Sequence, residues 1–323
     1  MRYVIFGGGP IGGGLAARLL MADQDVWLVD HNQANIEAIR KHGLTLKLVE
    51  RNQVVAEKVL PLRAVRSPES IGAADVVVLA AKSHATRSAM EGIQQVSDAH
   101  TIILSNQNGL GNVDILKEVF SSDQLAYSVV QYGGSRPAPG EIWSSASPEN
   151  LHLAVTSENE ALRSRLEEMA EILRSVGLNM QYFPKPELDR RLWIKLAANC
   201  ALNGICALCR CPMDGVSASQ AGVELTRKIV EECCAVANGL GISITPEDIV
   251  IVDRTVQPRQ NSDYHHYPSM VADLVHRQPT EENVLNGAVV RKGLELGIPT
   301  PYNEAISLLV RLTEETYDVQ FGA

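Results

Sequence analysis

No cysteine occurs in the first 199 residues, so no disulfide framework can hold the N-terminal half of this chain together. The six that exist are Cys200, Cys206, Cys209, Cys211, Cys233 and Cys234, set mostly in apolar helical sequence. The spacing Cys206-x-x-Cys209-x-Cys211 raises the question of a metal, but no second ligand pair follows at zinc-site spacing. Buried cysteines acting as small hydrophobes account for the cluster, and no metal site is expected. Neither a secretory leader nor a transit peptide is expected, since a strand pattern begins at residue 2, and a reducing cytoplasmic location is expected. The chain lacks an apolar run approaching the ~20 residues of a membrane span. It lacks any basic block: 29 Lys and Arg stand against 38 Asp and Glu, a net charge of −9. Neither nucleic acid nor an anionic membrane surface is therefore an expected partner. A small acidic substrate stays open, because the charge of one site need not follow the net charge. No internal repeat or low-complexity segment is visible. At 323 residues the chain is long enough for two domains.

What the chain has is glycine in one place. After the apolar run 2–6 come Gly7-Gly8-Gly9-Pro10-Ile11-Gly12-Gly13-Gly14, then a helical stretch to about residue 22. Gly7, Gly9 and Gly12 satisfy G-x-G-x-x-G. The first glycine permits the tight turn, the second lets the backbone approach a pyrophosphate, and the third lets helix and strand pack closely. Gly8, Pro10 and Ile11 complete the loop, whose helix N-terminus offers N–H groups and partial positive charge to phosphates. A second strand, 25–29, ends at Asp30, where the fingerprint places a ribose-binding carboxylate. Such a carboxylate suits the free 2′-hydroxyl of NADH and repels a 2′-phosphate; the alternative role for Asp30 is to cap the following helix.

Beyond this unit, residues 44–49 and 53–60 alternate in polarity around Arg51-Asn52, which predicts a hairpin insert. Continuous apolar runs at 74–81 and 101–104 predict buried parallel strands. Further strands are expected at 125–132, 141–145, 151–156 and 179–183, with a helix at 158–176. Pro184 and Pro186 mark a boundary. After it, helical patterns run near 187–209, 219–240, 246–257, 267–276, 281–296 and 302–317. The fold class predicted is an α/β N-terminal Rossmann-type dinucleotide-binding domain, 1–184, followed by an all-α C-terminal domain, 185–323, for substrate and catalysis.

Three sets of residues are candidates for chemistry. Lys82 and Asn108 follow the strands that end near Ala81 and Ser105, where open α/β sheets bind ligands. Each has a plainer reading, as a surface lysine and as a turn residue before Gly109. On the helix 187–209, Lys195, Asn199 and Asn203 stand at i, i+4 and i+8. Each step drifts about 40°, so the three share one stripe of an otherwise apolar segment. The plainer reading is a snorkelling lysine with two solvated amides. Last, Ser269 precedes Glu281 by twelve residues; taken alone, Thr280 is a helix cap and Glu281 and Glu282 are first-turn acids.

Taken together, these residues resemble the ketopantoate reductase (2-dehydropantoate 2-reductase) family, in matching order over nearly the whole chain. The resemblance lies in the glycine fingerprint, Lys82, Asn108-Gly109-Leu110-Gly111 and Pro139-Gly140-Glu141-Ile142. It continues through Leu192-Trp193-Ile194-Lys195-Leu196-Ala197-Ala198-Asn199 with Asn203, then Ser269-Met270, Thr280-Glu281, Asn286-Gly287 and Gly297-Ile298-Pro299-Thr300-Pro301. It implies that Lys195 is the general acid, with Glu281 its partner and a substrate or cofactor contact. It implies that Asn199, Asn203 and Ser269 hold the substrate, and that Asn108 and Lys82 lie near the nicotinamide and ribose. The implied reaction is reduction of 2-dehydropantoate to pantoate with NAD(P)H, a step toward pantothenate and coenzyme A. The family resemblance suggests NADPH, whereas Val29-Asp30-His31 favours NADH. Two further departures bear on the substrate: Met213 stands where a pocket asparagine is expected, and Trp143-Ser144-Ser145 where a His-Thr pair is common. They leave room for an NADH-dependent reductase of another branched or aryl 2-oxo acid on the same scaffold. A non-catalytic NAD(H)-binding sensor is the alternative from another class. The helical second domain suits a homodimer.

Overall fold

The computed structural model of the chain describes residues 1–50, 53–147, 152–157, 159–249 and 266–320. Two compact units are present: Met1–Gln107 with Asn112–Leu188, and Asn108–Gly111 with Asp189–Ala323. The short segment Asn108–Gly111, which a division at residue 184 leaves with the first domain, belongs by its contacts to the second unit.

The strands of the first unit are β1 (Arg2–Phe6), β2 (Asp25–Val29), β3 (Leu44–Glu50), β4 (Gln53–Leu60), β5 (Arg63–Val65) and β6 (Val76–Leu79), then β7 (Ile102–Ser105), β8 (Leu125–Gln131), β9 (Gly134–Ser135), β10 (Glu141–Ser145), β11 (His152–Ser157) and β12 (Asn179–Tyr182). Its helices are α1 (Pro10–Met21), α2 (Gln33–His42), α3 (Thr86–Gln95), α4 (Asn112–Lys117) and α5 (Arg163–Ser175). The main sheet has the order β12-β11-β8-β7-β6-β1-β2-β5. All neighbours are parallel except β8 and β11. From β5 to β8 this is the Rossmann-type order, with the reversal between β1 and β6.

Strand periodicity divides the core into two layers. Tyr3 and Ile5 point to the α1 side, where they join Leu15 and Leu19. Val4 and Phe6 point to the other side and join Ile93 of α3. Every residue of β6 and β7 is buried, which is why both read as unbroken apolar runs rather than alternating ones.

The hairpin insert forms as β3 and β4 and builds a second sheet, β4-β3-β10-β9. Residues 141–145 are a strand as expected, but β10 pairs in parallel with β3, outside the doubly wound sheet. Nothing local in a five-residue strand selects its partner; here Ile142 is drawn to Gly13, where an added Cβ would come within 2.8 Å of its side chain.

The described residues of the second unit contain no strand. Its helices are α6 (Lys185–Cys209, whose first turn counts with the first unit), α7 (Met213–Ser217), α8 (Gln220–Gly239), α9 (Ser269–Val275), α10 (Asn286–Leu296) and α11 (Pro301–Glu315). Two helical expectations are revised. Of the stretch 246–257, Pro246–Asp248 forms a single 3₁₀ turn and 250–257 lie outside the described residues. The stretch 281–296 is broken: a 3₁₀ turn Glu282–Val284 leads to Leu285 at φ −106°, ψ −109°, and α10 starts only afterwards.

α6 is long and apolar, but more than half of its most apolar stretch is buried within the protein, as in the core helix of a folded unit. Its Trp193, Leu196, Ala197, Cys200 and Ala201 form the core of the second unit with Ile229, Cys233 and Val289. Glu232 of α8, also buried, accepts from Tyr302 N at 2.8 Å, Asn303 N at 2.9 Å and Asn303 Nδ2 at 2.8 Å. This carboxylate serves as the N-terminal cap that Thr300 does not supply to α11.

Candidate functional site

The glycine loop sits between the carboxyl end of β1 and the start of α1. Gly7 has φ +111°, and a Cβ there would come within 2.6 Å of Ala81 N. A Cβ on Gly12 would come within 2.1 Å of Gly7 O, and one on Gly8 within 2.2 Å of Asp30 Oδ2. Internal packing therefore accounts for the glycines at 7, 8 and 12. It does not account for Gly9, where a Cβ would meet nothing within 4 Å and φ is −72°. Gly9 is the N-cap of α1 and no side chain caps that helix. Pro10 takes the first helical position, where its missing N–H costs nothing. An open space in front of an uncapped helix start is the shape that a pyrophosphate fits. Ile11 O accepts from Tyr132 Oη at 3.4 Å, which fixes the far side of the loop.

Asp30 is buried, and both its oxygens are engaged. Oδ1 accepts from Asn32 N at 3.2 Å and Oδ2 from Asn35 Nδ2 at 2.7 Å. Asn32, not Asp30, is the N-cap of α2, its Oδ1 accepting from Asn35 N at 3.0 Å; Asp30 braces that cap from the end of β2. The sequence reading missed Arg136, which follows β9. Its Nη1 donates to Gly8 O at 3.2 Å and lies 3.7 Å from Asp30 Oδ2. A lone arginine before Pro137 in a loop carries no periodic or spacing signal. Lys82 is half-buried and ends the extended segment after β6, just before a one-turn 3₁₀ helix.

In the second unit, three of the candidate residues converge. Lys195 Nζ donates to Asn108 Oδ1 at 2.7 Å. Burial lowers the Lys195 pKa to about 8, and the carboxylate of Glu281 acts in the opposite direction, favouring the charged form. The turn at 282–285 helps hold Asn108 in place: Leu110 N donates to Val284 O at 2.9 Å. Gly109, at φ +80°, lies so close that a Cβ would come within 2.3 Å of the same oxygen.

The two neighbouring acids go different ways, and neither enters a regular helix as a first-turn acid. Glu281 is half-buried and interacts with Lys195. Glu282 is buried, accepts from Ser307 Oγ, and its pKa is raised by burial. Thr280 does cap locally, its hydroxyl accepting from Glu282 N at 3.2 Å.

Asn199 and Asn203 are half-buried one and two turns along α6 from Lys195, and among the described residues their side-chain amides have no protein hydrogen bond. The stripe is thus neither sealed in the core nor fully solvated. Ser269 opens α9, exposed, and its hydroxyl is not hydrogen-bonded to the other candidates.

The two substrate-linked departures have structural surroundings. Ser144 is buried and accepts from Arg18 Nη2 of α1 at 3.0 Å, so it serves the packing of β10 on α1. Met213 begins α7 and packs against the core of the second unit, its N–H donating to His266 O at 3.0 Å. All six cysteines are free thiols, and Cys200, Cys206, Cys233 and Cys234 are buried. Burial pushes the Cys206 thiol up to about 12. Among the described residues no group of three or more His, Cys, Asp or Glu side chains is placed to hold a metal.

A Rossmann-type sheet with an uncapped glycine loop, and a half-buried lysine flanked by an amide and a carboxylate, define a dinucleotide-type oxidoreductase scaffold. Family models agree: "Ketopantoate reductase PanE/ApbA" matches residues 3–157, and "Ketopantoate reductase PanE/ApbA C terminal" matches residues 187–314. The chain belongs to the ketopantoate reductase family of oxidoreductases. It is 28% identical to a 2-dehydropantoate 2-reductase of Streptococcus pyogenes serotype M3, over 99% of this chain and 100% of that one. A solved PanE/ApbA family ketopantoate reductase from Ralstonia eutropha JMP134 is 27% identical with a TM-score of 0.84, covering 98% of this chain and 99% of that one. D-mandelate dehydrogenase, in a ternary structure with NADH and anilino(oxo)acetate, shares the fold: its TM-score is 0.88 at 24% identity, covering 99% of this chain and 100% of that one.

Proposed function

We propose that this chain reduces 2-dehydropantoate to pantoate with NAD(P)H, on the way to pantothenate. The observation that carries the reading is Lys195, half-buried with its pKa lowered to about 8, on Asn108 Oδ1 at 2.7 Å and within the field of Glu281. A dinucleotide held by its pyrophosphate at the glycine loop would supply a hydride to C2 of the 2-oxo acid. As the carbonyl oxygen gains negative charge, the Lys195 ammonium stabilises it and gives up a proton from Nζ. A pKa near 8 suits that task, since the proton is held at neutral pH yet released readily. Glu281 keeps the ammonium charged, and Asn108 takes one of its N–H bonds and so directs the others. Asn199 and Asn203 present free amides to the carboxylate and hydroxyl arms of the substrate; Ser269 and Lys82 are further contacts in this reading.

The test is steady-state oxidation of NADH and, separately, NADPH at 340 nm with ketopantoate. Turnover establishes the reductase. Lys195→Ala is expected to abolish turnover while dinucleotide binding, followed by fluorescence titration, persists; full residual activity rejects the general-acid role. A second reading rests on Met213, an apolar side chain where a polar one is expected: reduction of another branched or aryl 2-oxo acid. A higher kcat/KM for 2-ketoisovalerate or an aryl 2-oxo acid than for ketopantoate selects it. Binding of dinucleotide with no turnover on any of these acids selects a non-catalytic sensor.

A further inference from the structure

We infer that Arg136 is the residue that decides between NADPH and NADH, by meeting a 2′-phosphate that Asp30 alone would repel. The inference rests on the NAD(P)H reading above. NADH preference follows from a carboxylate that faces the ribose with free lone pairs. The Asp30 side chain is instead 2% exposed, its oxygens engaged by Asn35 Nδ2 and Asn32 N, with the Arg136 guanidinium 3.7 Å from Oδ2. The guanidinium offsets the charge of the carboxylate, so a phosphate approaching the pair meets a near-neutral group rather than a lone anion.

At this end of β2 a guanidinium reaches solvent. The Arg136 side chain is 30% exposed. Its partners among the described residues, Gly8 O and Asp30, are both met through Nη1, so Nε and Nη2 remain available. His31 is 98% exposed, with Nδ1 3.6 Å from Asp30 Oδ1. A guanidinium fork matches phosphate oxygens in pairs, which a ribose hydroxyl cannot reciprocate. Its place is also specific. Asp30 marks the ribose position of the fingerprint, and Gly8 lies between the first two fingerprint glycines. Pro137 restricts the Arg136 backbone to extended conformations. Asp30 and Gly8 O then hold Nη1 and steady the fork.

The experiment measures dissociation constants directly, by fluorescence titration of NADPH and NADH and by competition with 2′,5′-ADP, on the wild-type chain, Arg136→Ala and Arg136→Lys. Arg136→Ala is expected to weaken NADPH and 2′,5′-ADP at least about tenfold while NADH changes less than about threefold. Lysine keeps the charge without the fork and should recover part of the loss. Arg136→Gln, closer in shape, replaces the alanine variant if that one does not fold. An unchanged NADPH-to-NADH ratio in a chain that binds both overturns the assignment, whether the two constants stay put or move together. A wild-type chain that binds neither dinucleotide overturns it along with the NAD(P)H reading.

Discussion

Lys195 shows what one residue's surroundings do to its chemistry. Its ammonium is stabilised by Glu281 and destabilised by burial, and burial is the larger effect. The sign of the pH dependence follows. With Lys195 as the proposed general acid, reduction would need its protonated form, so kcat/KM should be flat below pH 8 and fall about tenfold per unit above it. In the reverse direction the neutral amine is the base, and the rate should rise through the same pH. Glu281→Gln removes the carboxylate that favours the charged form, so the limb should move to lower pH. Asn108→Asp places a charge at the atom now accepting from Nζ at 2.7 Å and should move the limb up. A pH profile of kcat/KM for each variant checks all three, and a limb that ignores both substitutions would assign it to another group. The pairing of Lys195 with Asn108 spans 87 residues of sequence, so no local pattern announces it.

At the scale of elements, two glycines of one loop separate folding from binding. Gly12→Ala puts a methyl 2.1 Å from a backbone oxygen, which no rotamer change can relieve. It should destabilise the chain by about 1–3 kcal/mol or more. Gly9→Ala meets nothing in the protein and keeps an allowed φ. It should cost about 1 kcal/mol at most as a poorer helix cap, yet weaken dinucleotide binding about tenfold or more. Urea melts and fluorescence titrations of both variants check the pair; equal losses of stability would refute the distinction. In the second unit, Glu232→Ala strands the N–H groups of Tyr302 and Asn303 at the start of α11. A loss of about 2–4 kcal/mol in chemical denaturation is expected, with Glu232→Gln losing less because one acceptor remains. The i, i+4, i+8 stripe on α6 was legible beforehand because helical period depends only on local sequence. The divergence of Glu281 and Glu282 was not, because it depends on the break at Leu285.

For the whole molecule, a ligand that binds the native chain and not the unfolded one must raise its stability. Either dinucleotide at a hundred times its dissociation constant should add about 2.7 kcal/mol. Melting curves with NADH and with NADPH check this, and a midpoint insensitive to both would count against nucleotide binding. Periodicity, unbroken apolar runs and the glycine fingerprint made the α/β first part and the helical second part readable from residues alone, because strand and helix formation answer to neighbours a few positions away. The hairpin insert was readable for the same reason. Only the tertiary structure decided that β10 would join that hairpin rather than the main sheet, that Asn108–Gly111 would go with the second unit, that Arg136 would reach Asp30, and that the apolar length of α6 would become core. Each is a choice of partner among distant segments. Burial, hydrogen-bond satisfaction and close packing settle such choices once the whole chain has condensed.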